Sequence, residues 1–140
     1  MELKGTPTHE NLRSAFVRKA AAGRLYLYLA KTADNEGRRD LARLFRELSD
    51  GETLHCHGLM EHLKAAGDPV TGGSMAGWEA YFQNAVDASQ EEAEKLFPAF
   101  AAQARADGFE DIAEWFESLS RAEANHASRL LQYKETLYGD

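Results

Sequence analysis

Two short patterns carry the chemistry of this sequence, Glu52-x-x-His55 and Glu123-x-x-His126. A spacing of three places both side chains of a pair on one face of a helix, one turn apart. Carboxylate oxygen and imidazole nitrogen together suit iron, manganese or zinc. One such pair alone says little. Here the pairs sit at equivalent places in two halves of the chain, each on a stripe that is otherwise apolar. Two glutamates buried there without partners would be heavily penalised. A divalent metal removes that penalty, and so does a buried network of salt bridges and hydrogen bonds. Both readings stand at this point.

The stripes themselves follow the three-or-four spacing of helices that face a core. The first runs Leu12, Phe16, Lys19, Gly23, Tyr26, Ala30, and the second Leu41, Phe45, Leu48, Glu52, His55, Leu59. The third runs Phe82, Val86, Ser89, then Glu92 or Ala93, then Leu96, Phe97 and Phe100; the fourth runs Ile112, Phe116, Leu119, Glu123, His126, Leu130. Polar residues interrupt all four near mid-length, so the interruptions are expected to meet in a bundle centre. Lys19 has no short route to solvent from such a position, and its ammonium is expected to point into the carboxylates. Glu92 is placed to add a third carboxylate, with Ser89 one turn before it.

The halves repeat. A shift of 71 positions lays Ala30 on Ala101, Ala33 on Ala104, Gly37 on Gly108, Ala42 on Ala113, Phe45 on Phe116, Ser49 on Ser120, Glu52 on Glu123 and His55 on His126. Earlier in the helices the shift is 70, pairing Leu12 with Phe82 and Ala15 with Ala85. The third helix therefore carries one extra residue between Ser89 and Ala101. A π-bulge would absorb it, and Pro98, which lacks a backbone N–H, is another candidate cause. Turn signals delimit helices over about 8–36, 38–66, 75–107 and 109–137, with Gly67–Ser74 the one convincing loop. Each helix would be roughly 42–48 Å long at about 1.5 Å per residue. The expectation is a single all-α domain over 1–140: a four-helix bundle made of two repeated hairpins with a crossover connection.

Composition narrows the function. In 140 residues with a net charge of −7 there is no basic run to neutralise phosphates, so nucleic acid is not expected as a partner. No apolar run approaches a membrane span, and Met1-Glu2-Leu3-Lys4-Gly5 lacks the apolar core of a signal peptide, so a soluble, cytoplasmic protein is expected. The single cysteine, Cys56, excludes an intrachain disulfide and a thiolate metal cluster. It is expected to pack between helices, as Trp78 and Trp115 are expected to sit in a core or a dimer interface.

At these residues the chain resembles the rubrerythrins, of the short form without a rubredoxin domain, within the ferritin-like di-iron carboxylate superfamily. The resemblance runs from Asn11-Leu12 to Leu137 and is carried by Gly51-Glu52-Thr53-Leu54-His55-Cys56-His57-Gly58, by Gly67-Asp68-Pro69-Val70, by Asp107-Gly108-Phe109-Glu110-Asp111-Ile112-Ala113 and by Ala122-Glu123-Ala124-Asn125-His126-Ala127. Bundles of this superfamily combine one Glu from each of two helices with Glu-x-x-His from each of the others. The resemblance implies a ferritin-like four-helix bundle, a homodimer, and an iron oxidoreductase that reduces hydrogen peroxide in oxidative-stress defence. Its electrons would come from an external rubredoxin-type donor, since no Cys-x-x-Cys pair is present. It places the seven family ligand positions on Lys19, Glu52, His55, Ser89, Glu92, Glu123 and His126. Glu52 and Glu123 would bridge, His55 and Glu92 would serve one iron, and His126 the other. Tyr26 matches an orienting tyrosine beside the ligands, and its counterpart Phe97 lacks the hydroxyl.

Lys19 and Ser89 depart from the family pattern, and charge gives the departure its meaning. Three glutamates and one ammonium leave −2, the complement of a single divalent ion. At about 4 Å and an effective dielectric of about 20, lysine–metal repulsion is on the order of several kcal/mol. The cofactor expectation is therefore one or two irons, with manganese or zinc as substitutes, or no metal with Lys19 as internal counter-ion. The last case describes a catalytically impaired relative with a structural or binding role.

Overall fold

The computed structural model describes residues 2–139. Met1 and Asp140, the ends of the expected 1–140 domain, lie outside the described residues. Helices α1 (Pro7–Asn35) and α2 (Arg39–Leu63) are followed by α3 (Trp78–Glu91), a π-helical turn (Glu92–Leu96), α4 (Phe97–Ala106) and α5 (Glu110–Tyr138). Because α3, the π turn and α4 follow one another without a gap, they form the expected third helix, and the described residues contain four helical rods and no strand. The fold class is all-α and ferritin-like. The chain divides into two compact units, Met1–Pro69 and Val70–Asp140, each a helical hairpin.

Local chemistry sets the helix ends. Thr6 caps α1, its hydroxyl oxygen accepting from the His9 N–H at 3.2 Å, with Pro7 in the first turn where its missing donor is not needed. Gly37 and Gly108 stop α1 and α4 with φ of +73° and +89°, a conformation that side chains disfavour. Behind each glycine the same double closure forms. Arg38 N–H reaches the Ala33 carbonyl and Gly37 N–H that of Asp34; Phe109 N–H reaches Ala104 and Gly108 N–H reaches Arg105. The repeat thus extends to individual backbone hydrogen bonds.

Each hairpin closes on a seam of small residues. Ala30, Ala33 and Ala42 are buried in the first, and Ala101, Ala104 and Ala113 in the second. These are the same three repeat positions. Side chains this short let the helices approach closely, which is why the identity is kept in both halves. Tyr26 rests on Phe45 with ring centroids 5.9 Å apart, and the repeat-equivalent Phe97 and Phe116 stack at 6.1 Å.

Three expectations need correction. Helix α2 ends at Leu63 rather than 66, its last residues turning through bonds from the Ala66 and Gly67 amides to the Leu63 carbonyl. The third helix begins at Trp78 rather than about Met75. Buried Asn84 is the reason: its side-chain amide donates to the Ser74 carbonyl at 2.8 Å, and its oxygen accepts from the Thr71 hydroxyl at 3.2 Å, which ties this segment down in a non-helical path. Finally, of the two places expected for Trp78 and Trp115 the core is excluded, since they are 68% and 64% exposed, and the stripe residues Leu48, Phe100 and Ile112 are also exposed. Two helices share one seam, and the expected stripes are wider than that seam.

The extra residue of the third helix appears as the π turn Glu92–Leu96, closed by the Phe97 N–H on the Glu92 carbonyl five residues back. Pro98 follows at once in the first turn of α4, where it has no N–H to return to the α pattern. Both candidate causes therefore act at one place.

The alanine seam has a direct test. Ala113→Leu, at a fully buried position, should lower stability by about 1–3 kcal/mol through overpacking, whereas Ala102→Leu, at an exposed neighbour, should stay within about 0.5 kcal/mol. Urea unfolding of the two variants measures the difference.

Candidate metal centre

In the first hairpin the key carboxylate is Glu52, buried on α2. It owes its place to the facing helix. A methyl group at Gly23 would lie 3.4 Å from the Glu52 Cβ, at the edge of van der Waals contact, so the two helices run close together beside this glutamate. One turn earlier the Ser49 hydroxyl donates to the Gly23 carbonyl at 3.0 Å and pins the helices together. Both Glu52 oxygens are engaged. Oε2 takes the Lys19 ammonium at 3.0 Å, and Oε1 lies 2.6 Å from His55 Nδ1. The Lys19 hydrogen bond is the main reason the Glu52 carboxyl falls below its usual range, with the His55 hydrogen bond second and burial opposing them. Lys19 thus points into the carboxylate as the sequence leads one to expect, but it is not cut off from solvent as expected, its side chain being 46% exposed. A single cation already occupies the carboxylate a metal would use.

The second hairpin answers its carboxylates differently. Glu92, the first residue of the π turn, is half-buried and hydrogen-bonds Glu123 on α5. Desolvation pushes the Glu92 carboxyl up, and the neighbouring Glu123 charge and hydrogen bond push it further. Glu123 Oε1 lies 3.3 Å from His126 Nδ1. Among the described residues no lysine or arginine pairs with Glu92, Glu123 or His126. The three form a chain of contacts rather than a closed cage: among the described residues no group of three or more His, Cys, Asp or Glu side chains converges in a metal-holding arrangement. Two carboxylates and an imidazole in sequence are nonetheless donors of the kind that suits a divalent cation. The Lys19–Glu52–His55 cluster does not fit a cation as it stands.

Ser89 is buried on α3 and lines a cleft of about 420 Å³ with Phe82, His126, Arg129, Leu130 and Tyr133. The sequence reading passed over Arg129 and Tyr133. Their positions three and seven residues after His126 put them on its helix face, and that spacing was the available signal. Tyr26 contributes ring packing on Phe45, and Phe97 sits between Phe100 and Phe116. Cys56 is half-buried, its Sγ 3.9 Å from the Phe16 carbonyl oxygen. No described helix is long and apolar enough to cross a membrane.

Comparison with known proteins gives the same direction. The family model described as Rubrerythrin matches residues 10–86 and 84–140. The chain is 28% identical over 146 residues to a rubrerythrin of Clostridium perfringens, covering 96% of this chain and 73% of that one. It is 30% identical over 133 residues to a rubrerythrin of Porphyromonas gingivalis, with coverages of 92% and 66%. A nigerythrin of Nitratidesulfovibrio vulgaris is 28% identical over 130 residues, with coverages of 89% and 64%.

Replacing Lys19 by Met removes the main cause of the lowered Glu52 carboxyl while leaving its burial. Glu52 should then titrate at higher pH than in the parent, as a carboxyl-carbon NMR titration would record. The stability consequence has a definite sign. A carboxyl held below its usual value supports the fold above that value and loses the support as pH falls through the folded pKa. Acid unfolding of Lys19→Met should therefore begin at higher pH than that of the parent. Coincident acid transitions would show that the Lys19 contact contributes nothing.

Proposed function

Because the chain belongs to the rubrerythrin family, whose model matches it over nearly its whole length, we propose that it is an iron-binding protein of that kind holding one divalent ion per chain through Glu92, Glu123 and His126. One observation carries the reading: Lys19 lies 3.0 Å from Glu52, whereas Glu92 and Glu123 face each other with no lysine or arginine paired to either among the described residues. A metal there would give both carboxylates a cation to meet. In the first hairpin it would have to displace an ammonium held by a short ion pair.

The count of metals bears on the activity. Reducing hydrogen peroxide to water takes two electrons, and one ferrous ion supplies one. Peroxide turnover by this chain is therefore expected to be slow beside that of family members with a complete ligand set, and to depend on an external donor of the rubredoxin type. A homodimer is part of the same proposal. A second reading, a full two-iron peroxidase, is favoured by the five family ligand side chains still present, Glu52, His55, Glu92, Glu123 and His126. It requires Lys19 to leave Glu52, and its side chain is 46% exposed, so an outward path exists.

Elemental analysis after anaerobic ferrous loading separates the readings. The parent should bind about one iron per chain, and Lys19→Glu combined with Ser89→Glu should bind about two. The metal-free double variant should be less stable than the parent, because it adds carboxylates with no cation to meet them. Iron at about a hundredfold over its dissociation constant should then raise its melting temperature by roughly 5–10 °C. Two tightly bound irons in the parent, with rapid peroxide consumption, would establish the second reading instead.

A further inference from the structure

The two hairpins share a seam and a glycine stop, yet the charges along their surfaces are opposite. At the shift of 71, Asp34, Arg39, Arg43, Arg46 and Asp50 fall on Arg105, Glu110, Glu114, Glu117 and Arg121. Among positions 34–50 that are charged in both halves, only Glu36/Asp107 and Asp40/Asp111 keep their sign. Asp40 and Asp111 lie in the first turns of α2 and α5, where the helix end itself favours an acid. The reversed charges include those that join the two helices of each hairpin. Arg46 on α2 donates to Asp34 on α1, while Arg105 on α4 donates to Glu117 on α5 and, at 3.0 Å, to Glu110.

Local helix chemistry accounts for only one of the two polarities. In the second hairpin Arg105 lies in the last turn of α4 and Glu110 begins α5, the favoured sign at both helix ends. The first hairpin carries the unfavoured sign at both, with Asp34 in the last turn of α1 and Arg39 as the first residue of α2. The gain from that polarity lies in partner choice. Both alanine seams use the same three repeat positions, so the seam by itself distinguishes poorly between native pairs and the crossed pairs α1 with α5 or α4 with α2. Crossed pairing sets Asp34 against Glu117 and Arg105 against Arg46, two repulsions in place of two attractions.

We propose that the reversed charges are a pairing device, which makes each helix close on its own neighbour during folding and reject the repeat-equivalent helix. Exposed ion pairs add little to stability; their value here is the difference between right and wrong partners. Four small contributions of one direction amount to about tenfold discrimination. None of these residues is among the metal-binding candidates, so the device is independent of the proposed function.

The test transplants charges within the full chain. In one variant Asp34→Arg, Arg39→Glu and Arg46→Glu give the first hairpin the polarity of the second. In another, Arg105→Asp, Glu110→Arg and Glu117→Arg do the converse. A third variant carries all six changes, so that the hairpins again differ in sign. Attraction within each hairpin is kept throughout, and the two triple variants move the net charge in opposite directions. Each protein is refolded from urea and resolved by size exclusion, with the amide NMR signals of Ala33, Ala42, Ala104 and Ala113 reporting which helix each seam faces. Both triple variants should show a misassembled fraction about tenfold above the parent's, as a separate elution peak or a second set of seam signals. The six-change variant should return to the parent's level. The proposal is overturned if a triple variant that folds matches the parent, or if the six-change variant does not return to it. If one triple variant does not fold, the other decides. If neither folds, the parent refolded in about 1 M sodium chloride decides: screening should raise its misassembled fraction, and an unchanged fraction rejects the device.

Discussion

A carboxylate carried on the inward stripe of a helix loses much of its hydration, and something positive must replace it. Lysine, a shared proton and a metal ion are the available answers. Glu52 takes the first, with the Lys19 ammonium at 3.0 Å and His55 on its other oxygen. Glu92, desolvated and beside the Glu123 charge, has no lysine or arginine paired to it among the described residues, so its carboxyl is pushed up while the Glu52 carboxyl is drawn down. These opposite displacements arise in two copies of one ancestral hairpin. The scaffold around them is shared down to the alanine seam and the glycine stops, so the difference follows from the few residues that changed.

The π turn shows how the scaffold absorbs change without losing register. An extra residue in a regular helix would rotate everything after it by about 100°, turning Phe97, Ala101 and Ala104 away from α5. Confining the insertion to Glu92–Leu96 keeps Ala101 and Ala104 in the seam against Ala113. It also lifts Glu92 out of the regular ladder, beside Glu123. Pro98 immediately afterwards removes the donor that would otherwise let the helix tighten. Backbone irregularity and altered chemistry therefore coincide at one turn, as they often do where helices carry function.

Much of this was legible in the sequence because it depends on spacing. Four helices, two hairpins, the stops at Gly37 and Gly108 and the position of the extra residue all follow from periodicity and from the change of shift between 70 and 71. The contact of Lys19 with the carboxylates was legible from charge on an apolar stripe. The start of the third helix was not, because it is fixed by one buried side chain, Asn84, bonding back to Thr71 and Ser74, and nothing local marks that asparagine as different from a surface one. The exposure of Leu48, Phe100 and Ile112 was missed for a related reason: type and period place a residue on a stripe, but how much of a stripe one seam covers is a matter of geometry. The cleft beside Ser89 escaped attention because its walls come from two helices.

The two losses from the family pattern have different physical consequences. Position 19 holds a base where the family pattern has an acid, so the first hairpin contains a cation of its own; Glu52 and Lys19 together are neutral, which is why the proposed single metal is assigned to the other hairpin. At position 89 an acid became a small neutral residue, which removes one negative charge but leaves Glu92 and Glu123 facing each other. Glu92 and Glu123 have no lysine or arginine paired to them among the described residues, so the demand for a cation that Lys19 meets in the first hairpin is left in the second for the proposed metal.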